Sequence, residues 1–549
     1  MGRSVRTVAP LLLAVFVGGC PEPPTGPRYV GAGHEEPQYG GTLTFHGTSN
    51  VRGLDPHKAF DELSITGIRL VFDGLLDYDE QARIIPRLLE DMPVAEQDGR
   101  VYTFRLRRGV RFHNGRELVA EDVRWSMERM LHPDTASPGW SFYLSLEGLE
   151  AYRDGETEHV RGIRVLDSHT IEFTLTKPDQ TFLNAMAMTF AYPVPREMYE
   201  TSGQKAFRDP IGTGPYRLVD WEKGVRLLFE RNRDYWRSGR PYVDRMIYLE
   251  NVQPHLASMR FQNGDIDHND AYTLADYVHF KHADEWTPYT IEEPDVSIYG
   301  VFMNTQMEPF DNVHLRRAVA HAIDRERWAK ARSHRILPAG QVLPPQIDGY
   351  DANLPHLQQY DLDEAKEEMR RAGHPDGLPT PVTLWVGESP TSQFYGELLQ
   401  SDLAKIGIRV VIKPVAFTVY LKESGKPGRV QMAFTGWSQD FPDPSDFLDI
   451  LFHSRNIHGE DSENRSFYRN DELDALLDQA RTEQDPDARR RMYEEANDIV
   501  ARDAPWAFLY YPKEFQAWQP YVRGYRLNPV WSHDYRDVWL DLPRRGAGQ

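Results

Sequence analysis

Apolar and polar positions along this chain switch between two periods. In Val101-Tyr102-Thr103-Phe104-Arg105-Leu106-Arg107, the residues Tyr102, Phe104 and Leu106 fall on one face. Ile171, Phe173 and Leu175 alternate with Glu172, Thr174 and Thr176, and Val225, Leu227 and Phe229 repeat the pattern. Such alternation predicts half-buried strands. Elsewhere the apolar residues recur at helical spacing. Leu315, Ala318, Val319, Ala322 and Ile323 form one stripe, with Asp311 placed to cap it. Leu473, Leu476, Leu477 and Ala480 form a second behind Asn470. Met492, Ala496, Ile499 and Val500 form a third, started by Asp485-Pro486 and stopped by Pro505. Asn and Asp side chains satisfy the free N–H groups of a first turn, and proline there has no N–H to lose. Strands and helices mix without a fixed repeat, which predicts an α/β fold with more than one sheet. A chain of 549 residues is expected to divide into two or three lobes.

The first twenty residues break the pattern. Arg3 and Arg6 precede an apolar run over residues 8–17, shorter than the roughly 20 residues a membrane span needs. A basic start, a short apolar core and small residues predict a secretory signal peptide over 1–19. Val17-Gly18-Gly19-Cys20 resembles a bacterial lipobox, in which the cysteine becomes the new N-terminus and carries lipid. Cys20, the only cysteine, is therefore the expected lipidation site, and it excludes disulfide frameworks and thiolate metal cages. Residues 21–37 are rich in Pro and Gly and predict a flexible tether. With 83 acidic against 63 basic side chains the net charge is −20, or −22 once Arg3 and Arg6 are removed. A field of that sign repels phosphate backbones and argues against nucleic acid as a partner. Aromatic residues reach 12%, which suits a site for flat or amphipathic ligands.

No catalytic motif stands out: there is no GxSxG elbow, HExxH or Walker A loop. Gly31-Ala32-Gly33 lies in the tether rather than between a strand and a helix. The run 265–270 spaces carboxylates like a calcium loop, but its sixth position is Asp270 instead of Gly, so an acidic surface turn is expected. His314 and His321 share a helix side and are expected to face solvent. No metal ligand set and no cofactor are predicted. Asp440, Asp443, Asp446 and Asp449 recur every third residue. A helix start near Pro444 accounts for Asp443 and Asp446, since acidic residues favour the positive end of a helix. Asp440 precedes that helix and follows Gly436-Trp437-Ser438-Gln439, which makes it a binding candidate or a structural acceptor.

Several separated segments resemble the solute-binding proteins of ABC importers, in the peptide/nickel family. They are Gly40-Gly41-Thr42-Leu43 with Leu54-Asp55-Pro56-His57-Lys58; Phe72-Asp73-Gly74-Leu75-Leu76 with Ala120-Glu121-Asp122-Val123; and Ile211-Gly212-Thr213-Gly214-Pro215-Tyr216 with Arg231-Asn232 and Tyr235-Trp236. Met303-Asn304-Thr305, Pro309-Phe310-Asp311 and Ile323-Asp324-Arg325 follow, then Gly436-Trp437 with Asp440 and Asp443-Pro444. The resemblance spans roughly 38–545 and is closest to oligopeptide-binding lipoproteins around Asp134-Thr135-Ala136-Ser137-Pro138 and Tyr143. It implies a type II periplasmic-binding-protein-like fold of the cluster C kind: two lobes joined by two crossing strands, plus an extra subdomain. The implied division is 38–57, 188–296 and 506–549 for lobe I, 58–187 for the subdomain and 297–505 for lobe II. Residues 296–304 and 507–511 are the candidate crossings, both apolar and rich in β-formers.

The resemblance also implies a site. Peptide binders of this family set an aspartate against the ligand's α-ammonium, and the matching position is Asp440. Main-chain pairing with the ligand corresponds to Phe60-Asp61-Glu62 and Gly436-Trp437-Ser438, a form of strand addition that ignores side-chain identity. Trp437 would wall a pocket, and Trp140 and Tyr143 are candidate lid contacts. The family's dipeptide members place an arginine in the loop that here reads Val386-Gly387-Glu388-Ser389-Pro390-Thr391-Ser392-Gln393, which has no Arg or Lys. A ligand longer than, or different from, a dipeptide is thus expected. The implied role is an envelope lipoprotein without enzymatic activity. It would act as a monomer, capture an oligopeptide by cleft closure and deliver it to a membrane permease with its ATPase subunits. An oligosaccharide ligand, or a role as surface-tethered sensor or chaperone, is the alternative.

Overall fold

A computed structural model describes residue 27, residues 31–202 and residues 208–542. The signal peptide and Cys20 lie outside the described residues. Among those described, no helix is long and apolar enough to cross a membrane.

Three sheets organise the chain. The first runs in the order Thr42–His46, Arg245–Leu249, Arg226–Arg231, Tyr216–Glu222, with only the first pair parallel. The helix Glu62–Val71 packs on it, and Leu43, Phe45, Ile68, Val71, Leu227, Phe229 and Met246 share its core. The second sheet holds Ala95–Glu96, Val101–Arg105, Thr170–Thr174 and Ile163–Asp167 in that order, all antiparallel. Its core contains the predicted inward residues Tyr102, Phe104, Leu106, Ile171, Phe173 and Leu175. The third has eight strands; its backbone order is His268–Asn269, Trp506–Trp518, Ser297–Met303, Met432–Ser438, Val382–Gly387, Val410–Val415. These are lobe I, the extra subdomain and lobe II of a two-lobed type II binding-protein fold.

The long strand Trp506–Trp518 belongs to two bodies. Residues Trp506 to Tyr510 pair antiparallel with Ser297–Met303, whereas Lys513 to Ala517 pair with Thr290–Pro294. Both polypeptide crossings therefore sit where these pairings change, at Pro294-Asp295-Val296 on one strand and Tyr511-Pro512-Lys513 on the other. Of the expected crossings 296–304 and 507–511, only Val296 and Tyr511 reach these points; the strand residues beyond them pair inside lobe II. Similarly, the subdomain does not begin at 58. Ile68, Leu70 and Val71 pack in lobe I, and the subdomain core runs from Leu75 to Ala191.

Local signals resolve as follows. Asn470 accepts from the N–H groups of Glu472 and Leu473 ahead of Asp471–Thr482, and Asp485 does the same for Pro486–Asp503. The helix Val313–Ala322 is capped by Asn312, not Asp311. His314 and His321 both stay partly exposed, and their Nδ1 atoms contact Glu368 (2.7 Å) and the Gln359 carbonyl (2.9 Å). Val225 lies in the turn before its strand and is exposed, because Arg226–Arg231 begins one residue later. The run 265–270 is not a surface turn. Asp267 accepts from Thr44 N–H and the Tyr521 hydroxyl, and Asp270 pairs with His533 at 3.0 Å. Part of the expected tether is also docked. The buried Asp541 carboxylate accepts from the N–H groups of Gly33 and His34 and contacts His34 Nδ1 (2.7 Å), with Gly33 at φ +85° making the turn.

Candidate ligand-binding cleft

A cavity of about 2400 Å³ opens between the three bodies. Typical small-molecule pockets hold roughly 300–1,000 Å³, so the space suits an extended ligand. The bodies meet across it. Arg481 of lobe II lies 3.3 Å from Asp179 of the subdomain, Gln484 Nε2 donates to the Asp98 carbonyl, and Gln439 Nε2 donates to the Pro529 carbonyl of lobe I.

The lobe II wall is the strand Met432–Ser438. On one side it pairs along its whole length with Ser297–Met303. On the other it pairs with Val382–Gly387 only at Met432 and Ala433. From Phe434 to Ser438 that second edge has no strand partner among the described residues, and it borders the cleft. Gly436 is required on this wall: a Cβ there would come 2.6 Å from the Tyr299 ring, which is itself stacked on Tyr510. Ser297 Oγ lies 2.8 Å from both Asp295 Oδ2 and Ser438 Oγ. Its single proton goes to the carboxylate, so Ser438 donates to Ser297.

Asp440 follows this strand. Its own N–H donates to Asp446 Oδ2 (2.8 Å), which also accepts from the Trp437 indole N–H (3.3 Å). Trp437 is thus held in the wall by a carboxyl behind it. No Lys, Arg or His nitrogen among the described residues comes within ion-pair distance of the Asp440 carboxyl. Burial first, then the nearby Glu463 charge, pushes it up to about 7. Asp446 is pushed well above the usual carboxylate range by burial and by Asp440. Asp446 is therefore the neutral, structural member of the pair and Asp440 the one that a cation would ionise. Asp443 is occupied, accepting from Ser445 and from Arg489 (2.8 Å). Asp449 is buried, pushed up to about 7 by desolvation, and accepts no hydrogen bond.

On lobe I the picture differs from the expected extended segment. Phe60 is 57% exposed in the cleft. Asp61, however, is a helix N-cap whose Oδ1 accepts from Ser64 N–H, and Glu62 opens the helix. The Asp61 carbonyl is taken by Ile65 N–H and the Glu62 carbonyl by Thr66. Only first-turn N–H groups and the main chain of Phe60 remain for a ligand.

Two expected lid contacts are corrected. Tyr143 is fully buried in the subdomain core and donates its hydroxyl to the Ala185 carbonyl (2.7 Å). Trp140 lies under the Arg153 guanidinium, 3.7 Å from the ring centroid. Neither borders the cavity; their neighbours Phe142 and Leu144 do. The turn Pro138–Tyr143 has a period of three, so residues one apart point to different sides. Phe142 packs edge-on against Phe441, the residue after Asp440. Sequence reasoning also missed Tyr299, Asp295, Glu463, Glu514 and Trp531, which reach the cleft from four distant stretches.

A second group of carboxyls lies on the crossing strands and at the start of the helix Glu62–Val71. Glu62, Asp295 and Glu514 all line the cavity, and burial raises all three, Glu514 up to about 8. The nearby His533 opposes this at Glu62 and Glu514, while repulsion from Asp270 and Asp295 adds to it at Glu62 and from Asp295 and Glu62 at Glu514. Among the described residues, no cluster of three or more His, Cys, Asp or Glu has the arrangement to hold a metal ion.

A two-lobed fold with an unpaired carboxyl and a free strand edge in its cleft is the architecture of a solute-binding protein. The chain belongs to the bacterial extracellular solute-binding proteins, family 5, whose middle-region model matches residues 83–459. It is 30% identical over 479 residues to the di/tripeptide-binding protein 2 of Pseudomonas aeruginosa (strain UCBPP-PA14), covering 84% of this chain and 87% of that one. Its structure superposes on the clavulanic acid biosynthesis oligopeptide binding protein 2 with a TM-score of 0.85 and 27% identity, covering 94% of this chain and 100% of the other. A third likeness is the periplasmic binding protein DppA from Helicobacter pylori in complex with the peptide STSA: TM-score 0.76, 28% identity, 92% and 99% coverage.

Proposed function

We propose that this chain is the peptide-capturing component of an ABC importer, lipid-anchored through Cys20 and delivering its ligand to a membrane permease. Asp440 grips the α-ammonium of an extended peptide, and the free edge from Phe434 to Ser438 pairs with the peptide main chain. The observation that carries this reading is the Asp440 carboxyl: enclosed, unpaired, and next to an open strand edge. A buried charge without a partner is costly, and a ligand cation removes the cost. Main-chain pairing adds affinity without reading side chains, and the cavity leaves room for several residues. Cleft closure follows from contacts to both lobes, since a ligand favours whichever state offers more of them.

The test is mass spectrometry of ligand co-purified with the protein, followed by calorimetry with the peptide found and its N-acetylated form. Strong binding of the free peptide and weak binding of the acetylated one is expected. Equal binding of both, or a sugar as the co-purified ligand, would reject amine recognition. For the anchor, metabolic labelling with a radioactive fatty acid should mark the wild type and not Cys20→Ser.

A further inference from the structure

The Asp449 carboxyl has no partner that explains its burial. It lies on the helix Ser445–Phe452, borders the cavity, and its side chain is only 5% exposed. Both of its oxygens are enclosed and neither accepts a hydrogen bond. Native structures rarely leave such a group alone, and each exception asks for a reason. Facing it are Arg481, Arg455, Asp443, Arg489 and the Tyr493 hydroxyl. Two of the three arginines are committed elsewhere. Arg489 is bound to Asp443 at 2.8 Å. Arg455 Nη2 stands 3.5 Å from Asp449 without a hydrogen bond to it, and the same guanidinium holds Asp478 at 2.9 Å.

Arg481 is different, because its partner belongs to another body. It sits in the last turn of the helix Asp471–Thr482 and reaches over to the subdomain, where Nη2 lies 3.3 Å from Asp179 Oδ2. That is the only hydrogen bond of its guanidinium among the described residues. Asp179 does not depend on it: the other carboxylate oxygen accepts from the N–H (3.1 Å) and hydroxyl (2.7 Å) of Thr181. Arg481 stays more than 4.0 Å from Asp449. Its charge nevertheless acts on Asp449 more strongly than any other, second only to burial. Against its own burial, Arg481 is held charged by Asp179 first and by Asp449 next. One cation thus serves two carboxyls in different bodies and bonds only one of them. We infer that Arg481 is a two-position switch of the cleft: with the bodies together it bonds Asp179, and when they part it turns back onto Asp449 of its own lobe. Opening then exchanges one charge-assisted bond for another instead of losing it, which keeps the open form within reach without ligand. In the closed form Asp449 is left uncharged, since burial pushes it up to about 7. In the open form the guanidinium holds it ionised, so opening releases a proton. Between the ordinary carboxylate range and about 7, rising pH should favour the open form by up to about tenfold per unit; above 7 Asp449 is ionised in both forms and the effect levels off. The inference rests on the cleft closing, not on what the ligand is.

The experiment is small-angle scattering of the ligand-free protein at pH 5 and pH 8, for wild type and Asp449→Asn. Asparagine keeps the shape and the neutral state of the closed form and cannot form an ion pair with the arginine. The two proteins should have the same radius at pH 5. At pH 8 the wild type should be larger, while Asp449→Asn keeps its pH 5 radius. Arg481→Gln removes the group that moves and leaves Asp449 in place; its radius should also ignore pH. A wild type with one radius at both pH values, an Asp449→Asn that expands alongside it, or an Arg481→Gln that still expands with pH, overturns the switch. Thermal melts guard against a packing defect: an Asp449 of merely structural role would lower the melting temperature of the Asn variant and leave the expansion between pH 5 and pH 8 untouched, which again overturns the switch. No arm uses a peptide, so the switch and the amine reading of Asp440 stand or fall separately.

Discussion

Replacing Asp440 by Asn keeps the shape of the side chain and removes its charge. In the free protein this carboxyl is pushed up to about 7 by burial and by Glu463, and it has no cation partner. Two effects of opposite sign follow. Truncating one member of an enclosed charge pair costs about 2–5 kcal/mol of binding, and about 3 kcal/mol corresponds to a loss of roughly 150-fold in affinity for a free peptide. Without ligand the substitution should stabilise. The folded-state value lies above the ordinary carboxylate value near 4. The stability this group contributes is therefore full below pH 4 and lost as pH rises through about 7. At pH 8 the wild type carries an ionised, unpaired carboxylate that the Asp440→Asn variant lacks. Allowing for solvent access and for the coupling to Asp446, the gain should be on the order of 1–2 kcal/mol, seen as a higher melting temperature. Binding should show the same titration. Since the ammonium needs the carboxylate, wild-type affinity should fall roughly 20-fold between pH 7.5 and 5.5, and the variant should be flat. Calorimetry and thermal melts across pH 5.5–8 check all three. A variant that melts lower than wild type at pH 8, or binds within threefold of it with the same pH slope, would show that Asp440 is a structural acceptor.

Three further outcomes are expected. Gly436→Ala forces a Cβ to 2.6 Å from the Tyr299 ring, which the Tyr510 stack prevents from yielding; it should cost about 1–3 kcal/mol in urea unfolding and weaken every peptide to a similar degree. Asp179→Asn breaks the ion pair to Arg481 that joins subdomain and lobe II; small-angle scattering of the ligand-free protein should show a larger radius than wild type, with weaker ligand binding. Arg536→Met removes the guanidinium shared by the buried Asp77, which keeps Arg69 at 3.0 Å, and the half-buried Asp534. It should cost about 3–5 kcal/mol at pH 7, and less at pH 3, where the carboxyls that Arg536 holds below their usual range become protonated.

What was legible in the sequence depended on how far a signal reaches. Helix caps at Asn470 and Asp485 are local hydrogen bonds between neighbours, and both stand where the residue pattern put them. The strand faces of Tyr102, Phe104, Ile171 and Phe173 need only a period of two. Asp440 was singled out by a carboxylate that helix-start chemistry left unexplained, and its unpaired state in the cleft keeps that reasoning open to test. Asp61 shows a local signal overlooked: it was expected to offer an extended main chain, but three residues before Ser64 its side chain caps a first turn and the chain becomes a helix. Elsewhere the deciding partner was remote. Tyr143 was expected at the ligand because it is aromatic in a loop; the Ala185 carbonyl, 42 residues away, claims its hydroxyl. The docked part of the tether depends on Asp541 at the other end of the chain.

The charge of the cleft is the extreme case of that distance effect. A net charge of −20 says only that acids outnumber bases, and most surface acids are solvated or paired. Which of them are unpaired and face one another is decided by tertiary structure. Glu62, Asp295 and Glu514 stand more than 200 residues apart in sequence, each beside ordinary strand or cap residues. They meet because two of them ride on the strands that change lobes and the third begins the helix packed under lobe I.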